Sequence, residues 1–237
     1  MRGVLHVHSI FSDGEAPLER IVQTFAAAGV HFIAVSDHAE VFSDDRMERY
    51  VSLCQALSSP SLLVIPGLEF ALKGGSIHIL GFGVKKRVRA PGMEQLVDGI
   101  HEAGGIAVLA HPPVGSINMI EAVKDKLDGI EVWNTRYDGP VTPRTQSFQL
   151  LQKVRKSNPK AAAYCGIDLH KLDQARKPVY VDVDAKELSR EAILGALRAG
   201  EFTLHRGATV IPSSGSLTFV QQLSIALKQP LCRPWAG

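Results

Sequence analysis

The chain has 237 residues, 45% of them hydrophobic and 21% charged, which suffices for one large core and gives a single domain over residues 1–237 as the expectation. Its 26 basic and 24 acidic residues leave a formal charge of +2, too even a balance for long-range attraction to nucleic acid, so a polyanion would have to be held by a local site. The three cysteines, Cys54, Cys165 and Cys232, lack C-x-x-C spacing and fit reduced thiols; with no apolar leader and no long apolar run, the expectation is a soluble cytoplasmic protein without a membrane partner.

Read from the N-terminus, apolar or β-branched runs alternate with amphipathic stretches, the pattern of repeated βα units around a parallel sheet. "RGVLHVHS" reads as a strand. "PLERIVQTFAAAG" reads as a helix, with Leu18, Ile21, Val22 and Phe25 at helical spacing, Pro17 in the first turn and Gly29 at the C-terminal stop. "HFIAVSDH" is a second strand, "DDRMERYVSLCQAL" a second helix, and "LLVIPGLEF" and "SIHILGFGV" are extended segments joined by the turn "LKGG". The helix "MEQLVDGIHEAGG", the strand "IAVLAHP", the helix "INMIEAVKDKL" and the strand "GIEVWN" follow. "PRTQSFQLLQKVRKS" is then helical, "AAAYCGIDLH" and "KPVYVDVD" extended, "SREAILGALRAG" helical and "EFTLH" a short closing strand. About seven βα repeats fit, and the tail from Pro212 is expected to add one amphipathic helix.

A parallel barrel carries its active site at the C-terminal ends of its strands. The ionisable residues of the apolar runs fall there: His6 and His8 after "RGVL", Asp37 and His38 after "FIAVS", Glu69 after "VIPGL", His111 after "IAVLA", and Asp168 and His170 after "YCGI". His78 lies within its segment, between Ile77 and Ile79. A single histidine in such a place is ordinarily a core residue bonded to a carbonyl. Recurrence at successive strand ends is harder to explain by packing, because each buried imidazole or charge needs its own partner. Metal ions would satisfy them together. Side chains at i and i+2 of a strand share a face, so His6 and His8 converge, as do Asp168 and His170. Mixed nitrogen and oxygen ligands suit Zn, Mn or Fe rather than Ca or Mg.

The motifs "HVHSIFSDG", "AVSDHAE", "PGLEF", "HILGFG", "LAHP" and "GIDLH", in this order over residues 4–170, resemble those of the PHP family, the polymerase and histidinol phosphatase superfamily of metal-dependent phosphoesterases. The resemblance implies a distorted (β/α)7 TIM-like barrel closed by residues 171–237, with two to three divalent transition-metal ions at the C-terminal ends of its strands. Carried over residue by residue, it implies that His6, His8, Glu69 and Asp168 hold one ion, that Glu69 bridges to a second held by His78 and His111, and that Asp13, His38 and His170 hold a third. Every ligand position is filled, which implies an active enzyme with Glu69, Asp168 and His170 at the centre of its chemistry. The short spacing between His78 and His111 leaves no room for the insertion of several small-molecule phosphatases in the family, so the resemblance alone does not carry their substrates over to this chain.

Three divalent ions against the carboxylates of Asp13, Glu69 and Asp168 give a centre of about +3, suited to a phosphate dianion rather than a neutral amide. The expectation is hydrolysis of small phosphomonoesters, nucleotides or nucleoside bisphosphates among them, by attack of a metal-bridged hydroxide. Histidinol phosphate hydrolysis and oligonucleotide exonuclease action are the enzymatic alternatives; a metal-stabilised interaction module is the non-catalytic one. Arg136 after "GIEVWN", Arg176 and Lys177 beyond "GIDLH", and His205 and Arg206 at the end of the last strand are candidates for binding substrate phosphate, with solvated surface charge as the alternative for each. Asp37 is expected to orient a ligand from behind. His31 and His101 fall at the wrong ends of their elements for catalysis and read as structural. No basic stripe with interleaved aromatics marks extended nucleic-acid binding.

Overall fold

The structure is a computed structural model that describes residues 1–113, 115–138, 142–176 and 178–228. Lys177 and Cys232 lie outside the described residues. In chain order the elements are β1 (Arg2–Val7), α1 (Leu18–Ala27), β2 (Phe32–Val35), β3 (Asp37–His38), α2 (Asp44–Leu57), β4 (Leu63–Ile65), β5 (Gly67–Leu72), β6 (Ile77–Phe82) and α3 (Met93–Glu102). There follow β7 (Ile106–Ala110), β8 (Gly129–Asn134), α4 (Thr145–Arg155), β9 (Ala162–Gly166), β10 (Tyr180–Val183), α5 (Arg190–Ala199), β11 (Phe202–Arg206), β12 (Thr209–Pro212) and α6 (Phe219–Lys228).

The helices form where the sequence directs them. In α1, Leu18, Ile21 and Phe25 bury one face, and Gly29 follows at φ +71°, a conformation glycine takes without the penalty of a Cβ. Ser43 caps α2 by accepting from the Arg46 amide, and Ser189 caps α5 by accepting from Ala192. The segment 117–127 departs from its helical expectation: Ser116–Met119 is a single 3-10 turn, and turns continue through Lys126. Ile120, Val123 and Leu127 are still buried, so consecutive tight turns place the same apolar residues inward without a helix. β12 falls between the expected closing strand and the tail, where no strand was expected, and α6 forms within the tail.

The strands make two six-stranded mixed sheets, one in the order β12-β11-β10-β1-β2-β4 and the other β3-β5-β6-β7-β8-β9. The parallel βα pattern holds for β1-β2-β4, β3-β5 and β7-β8-β9. It fails at β5-β6-β7 and at β1-β10-β11-β12, whose pairings are antiparallel. For β5–β6 and β11–β12 the turn-length connections 73–76 and 207–208 allow only antiparallel neighbours, since a parallel crossover needs a dozen or more residues. The expected "HFIAVSDH" strand divides between the sheets, with β2 in the first and β3 in the second. The sheets meet beside the end of β1, where Ile167 donates to the Leu5 carbonyl at 3.1 Å, Leu169 to that of His6 at 3.2 Å, and His8 to that of Leu169 at 3.0 Å.

The core includes the inward residues of both sheets, among them Val4, Ile33, Leu80, Val108, Ile130 and Val181, packed against α1 to α5. Its largest fully buried side chains, Trp133, Tyr50 and Tyr164, include two tyrosines whose hydroxyls donate to the carbonyls of Gly67 and Leu197. No helix among the described residues is long and apolar enough to cross a membrane.

Candidate metal centre

The end of β1 is where the sequence argument needs correction. Simple alternation would carry His6 and His8 to one face, but the β1–β2 register shifts between Leu5 and Val7, and His6 stands at φ +61°. A positive φ in a non-glycine residue is sparsely populated and costs on the order of 1–3 kcal/mol. The backbone turns at His6, β1 ends at Val7, and the two rings lie 5.2 Å apart. His111 at φ +24° and Asp168 at φ +52° share this strain, so among the described residues three of the four non-glycine residues with positive φ belong to the predicted ligand set. Strain concentrated at one constellation is the pattern of a functional site rather than of core packing.

His78 reaches the same place by a route alternation did not anticipate. β6 runs antiparallel to β7, so His78 at the start of one lies opposite Ala110 at the end of the other, next to His111. His38 pairs with Glu69 across β3 and β5. The centre thus draws on strands of both directions.

Glu69 is buried at its middle. Its Oε1 accepts from His78 at 2.8 Å and from His111 at 3.0 Å. Its Oε2 lies 3.2 Å from His8, 3.5 Å from His6 and 3.6 Å from His38. Asp168, also buried, sets Oδ1 3.3 Å from His170, 3.6 Å from His8 and 3.7 Å from His6. Asp13, half-exposed, has His170 at 3.0 Å, His8 at 3.3 Å and His38 at 3.4 Å. All nine predicted ligands are therefore brought together.

Their charge states follow from this crowding. Burial alone would raise Glu69 and Asp168, but the facing imidazoles, His6 foremost, hold both carboxyls below their usual range. Burial opposes protonation of His170, yet Asp13 and Asp168 push it up to about 9. Burial likewise opposes protonation of His6, and Glu131, Asp168 and Glu69 outweigh it.

The residues fit divalent metal on an observation independent of any resemblance. Nε2 of His6 and both ring nitrogens of His8 are buried without a hydrogen-bond partner, an arrangement costly in a core unless something ligates them. His8, Asp13, His38 and His170 offer ligand atoms within 4.8 Å of one another, as do His6, Glu69 and His111, and His6, His8 and Asp168. His8 thereby belongs both to the group implied for it and to the one built on Asp13, His38 and His170.

Sequence reasoning missed the residues behind the ligands. Glu131, 1% exposed in β8, accepts from Nδ1 of His6 at 2.9 Å and from the His111 amide and Nδ2 of Asn134, each at 2.8 Å. A carboxylate can only accept, so it fixes the His6 proton on Nδ1 and turns Nε2 toward Glu69 and Asp168. Asn134 extends the network to Asp168 at 3.2 Å. Gly166 leaves the necessary space, since a Cβ there would stand 1.9 Å from Oε1 of Glu131. The signal was present in "GIEVWN": a glutamate between Ile130 and Val132 is the same anomaly as the strand-end histidines. Tyr137, whose ring lies 4.5 Å from that of His111, is a second neighbour the sequence did not mark.

The remaining candidates divide. Nη1 of Arg136 stands within 2.8 Å of both ring nitrogens of His170 and 3.5 Å from Asp168, so it adjoins the centre. Arg176 and Arg206 line another cavity, and His205 stacks on Tyr180 and bonds Thr203. Lys177 lies outside the described residues. Asp37 does not touch the His38 ring; it accepts from the amide and hydroxyl of Ser9 and from the hydroxyl of Ser12, bracing the loop between His8 and Asp13. His31 accepts from the Arg2 amide, and His101 bonds Asp128.

No curated protein matches the chain significantly in sequence. Among solved structures, a two-domain protein of Bacteroides vulgatus containing a predicted PHP-like metal-dependent phosphoesterase superposes with a TM-score of 0.65 at 16% identity, over 96% of this chain and 69% of that one. A Bifidobacterium adolescentis protein with a provisional metal-dependent phosphoesterase designation superposes with a TM-score of 0.50 at 15% identity, over 71% of this chain and 87% of that one. At such identities the likeness establishes a shared fold. Residues 5–166 match the PHP domain family. That span holds nine of the eleven residues that form the strained constellation with its bracing pair, Glu131 and Asn134 among them, and over two thirds of its length the chain belongs to the PHP domain family.

Proposed function

We propose that the chain is a metal-dependent phosphoric ester hydrolase acting on small phosphomonoesters, with nucleotides and nucleoside bisphosphates among its substrates. The observation that carries this reading is the convergence of six histidines on Glu69, Asp168 and Asp13 with three buried imidazole nitrogens that make no hydrogen bond. Two or three bound Zn, Mn or Fe ions would supply Lewis acidity toward a phosphoryl oxygen and lower the pKa of a water. His6, His8, His111 and Asp168 would hold them on the buried side, Asp13, His38 and His170 on the exposed side, and Glu69 and His78 between. We also infer that the two sheets act as one distorted barrel, with this centre at its open end.

The protein's own groups supply the rest. Glu69 and Asp168, held ionised, counter the ions' charge and keep the imidazoles oriented. Arg136, 38% exposed beside His170, is placed to donate to a phosphate oxygen and to set that group against the centre. Tyr137, partly exposed over His111, would flank the leaving group. An excess of positive charge favours a terminal dianion over an internal phosphodiester monoanion. The test is phosphate release by metal-loaded protein from a mononucleotide, a nucleoside bisphosphate, histidinol phosphate and a DNA oligomer. Release from the small monoesters is expected; rapid internal cleavage of the oligomer without monoester activity would overturn the substrate class, and no turnover of any would favour a non-catalytic module.

A further inference from the structure

β10 lies between β1 and β11, and the 3-10 turn Leu172–Arg176 leads toward its start. These elements border a half-open cavity of about 480 Å³ that shares no lining residue with the histidine centre. Arg2, Arg176 and Arg206 line it with Tyr180 and the apolar side chains of Ala28 and Val30, and no aspartate or glutamate does.

The three arginines differ from several others of the chain in having no carboxylate or carbonyl partner among the described residues. Arg144, Arg155, Arg190 and Arg198 each donate to a carboxylate or a backbone carbonyl. Among the described residues, no carboxylate or carbonyl bonds the guanidinium of Arg2, Arg176 or Arg206; Nε of Arg2 is buried with no hydrogen-bond partner, as are those of Arg46 and Arg190, while Arg176 is exposed. Asp182, across from Arg2 on β10, lies 3.6 Å from the N-terminal amine instead. Arg2 is held over the Tyr180 ring at 4.4 Å, and His205 stacks on the same ring at 5.2 Å, so aromatic contacts fix its pose. Burial also draws Arg206 below its usual pKa, with no anion to offset the cost.

We infer that this cavity is a second ligand site, separate from the metal centre, that binds the pyrophosphate or paired phosphate groups of a small anion. Planar guanidinium forks match phosphate oxygens bidentately, and three of them call for more than one negative charge. The volume falls within the range of small-ligand pockets. The concavity and the apolar wall favour a compact ligand over a nucleic-acid backbone, which would need a basic track beyond the cavity.

Calorimetric titration of the metal-loaded full chain with inorganic pyrophosphate, a nucleoside diphosphate and a short RNA tests this, using Glu69→Gln, Arg2→Gln and Arg206→Gln variants. One binding event should persist in Glu69→Gln with its affinity unchanged and weaken about tenfold or more in either arginine variant. Arg206→Lys, which keeps the charge but loses the fork, should fall between and serves if Arg206→Gln does not fold. The tighter of pyrophosphate and the nucleoside diphosphate identifies the source of the phosphate groups. Binding that vanishes in Glu69→Gln and ignores the arginine variants would overturn the site. Arginine-dependent binding of RNA tighter than of either small anion would overturn its assignment to a compact ligand.

Discussion

Glu131→Gln is the substitution that most sharply probes how the centre is held. Glu131 receives three donors: Nδ1–H of His6 on one oxygen, and the His111 amide with the Asn134 side chain on the other. Glutamine offers one accepting oxygen and one donating nitrogen, so no orientation satisfies all three. With its nitrogen toward His6, the ring must carry its proton on Nε2 and cannot ligate through that atom; with its nitrogen toward His111 and Asn134, donors face donors. A buried donor left without an acceptor costs about 1–3 kcal/mol, and loss of such a bracing partner typically weakens metal binding about 10–100-fold. Competition with a chelator should show that weakening, with thermal stability falling more for the metal-loaded protein than for the metal-free one. Equal metal affinity in Glu131→Gln and wild type would refute the role assigned to this network.

Other predictions follow from the same geometry. Gly166→Ala should destabilise the fold by about 1–3 kcal/mol, because the added methyl would press on Glu131 and the Cβ of His6; an unchanged melting temperature would show that the backbone there yields freely. Glu69→Gln should lower turnover and metal content more than His170→Gln, since Glu69 contacts five imidazoles; assays at saturating metal compare them. His170, held up to about 9 in the metal-free chain, is protonated at neutral pH and must lose that proton to ligate. Apparent metal affinity should therefore rise with pH toward 9, and calorimetry in two buffers near pH 7.5 should show fewer protons released on metal binding to His170→Gln than to wild type. Arg136→Ala should raise KM for phosphomonoesters, by about tenfold for loss of one charge-assisted contact; an unchanged KM would remove it from the phosphate site.

The ligand types of the centre were legible because a buried strand tolerates few ionisable side chains, so each of His6, His8, Glu69, His111 and Asp168 stood out against its apolar run. How they converge was not legible. Alternation predicts positions along a regular strand, and the chain here leaves regularity at His6, His111 and Asp168, where positive φ aims the side chains. Strand direction was hidden for a related reason: hydrophobic pattern marks β5, β6 and β7 as extended but carries no sign of parallel or antiparallel pairing; the short 73–76 turn decides it for β5 and β6, whereas the helical connection from β6 to β7 would allow either. Glu131 could have been found by the logic applied to its neighbours. The partition of the arginines could not, because Arg176 and Arg206 follow strands just as Arg136 does, and only the three-dimensional path separates them.

Elemental analysis of the purified chain tests the central claim most directly. Two to three Zn, Mn or Fe ions per chain are predicted, falling in the Glu69→Gln variant and restored to the wild-type protein after chelation and reloading with recovery of phosphate release. Protein that retains none of these metals after incubation with each, and folds and melts identically with or without them, would contradict the account.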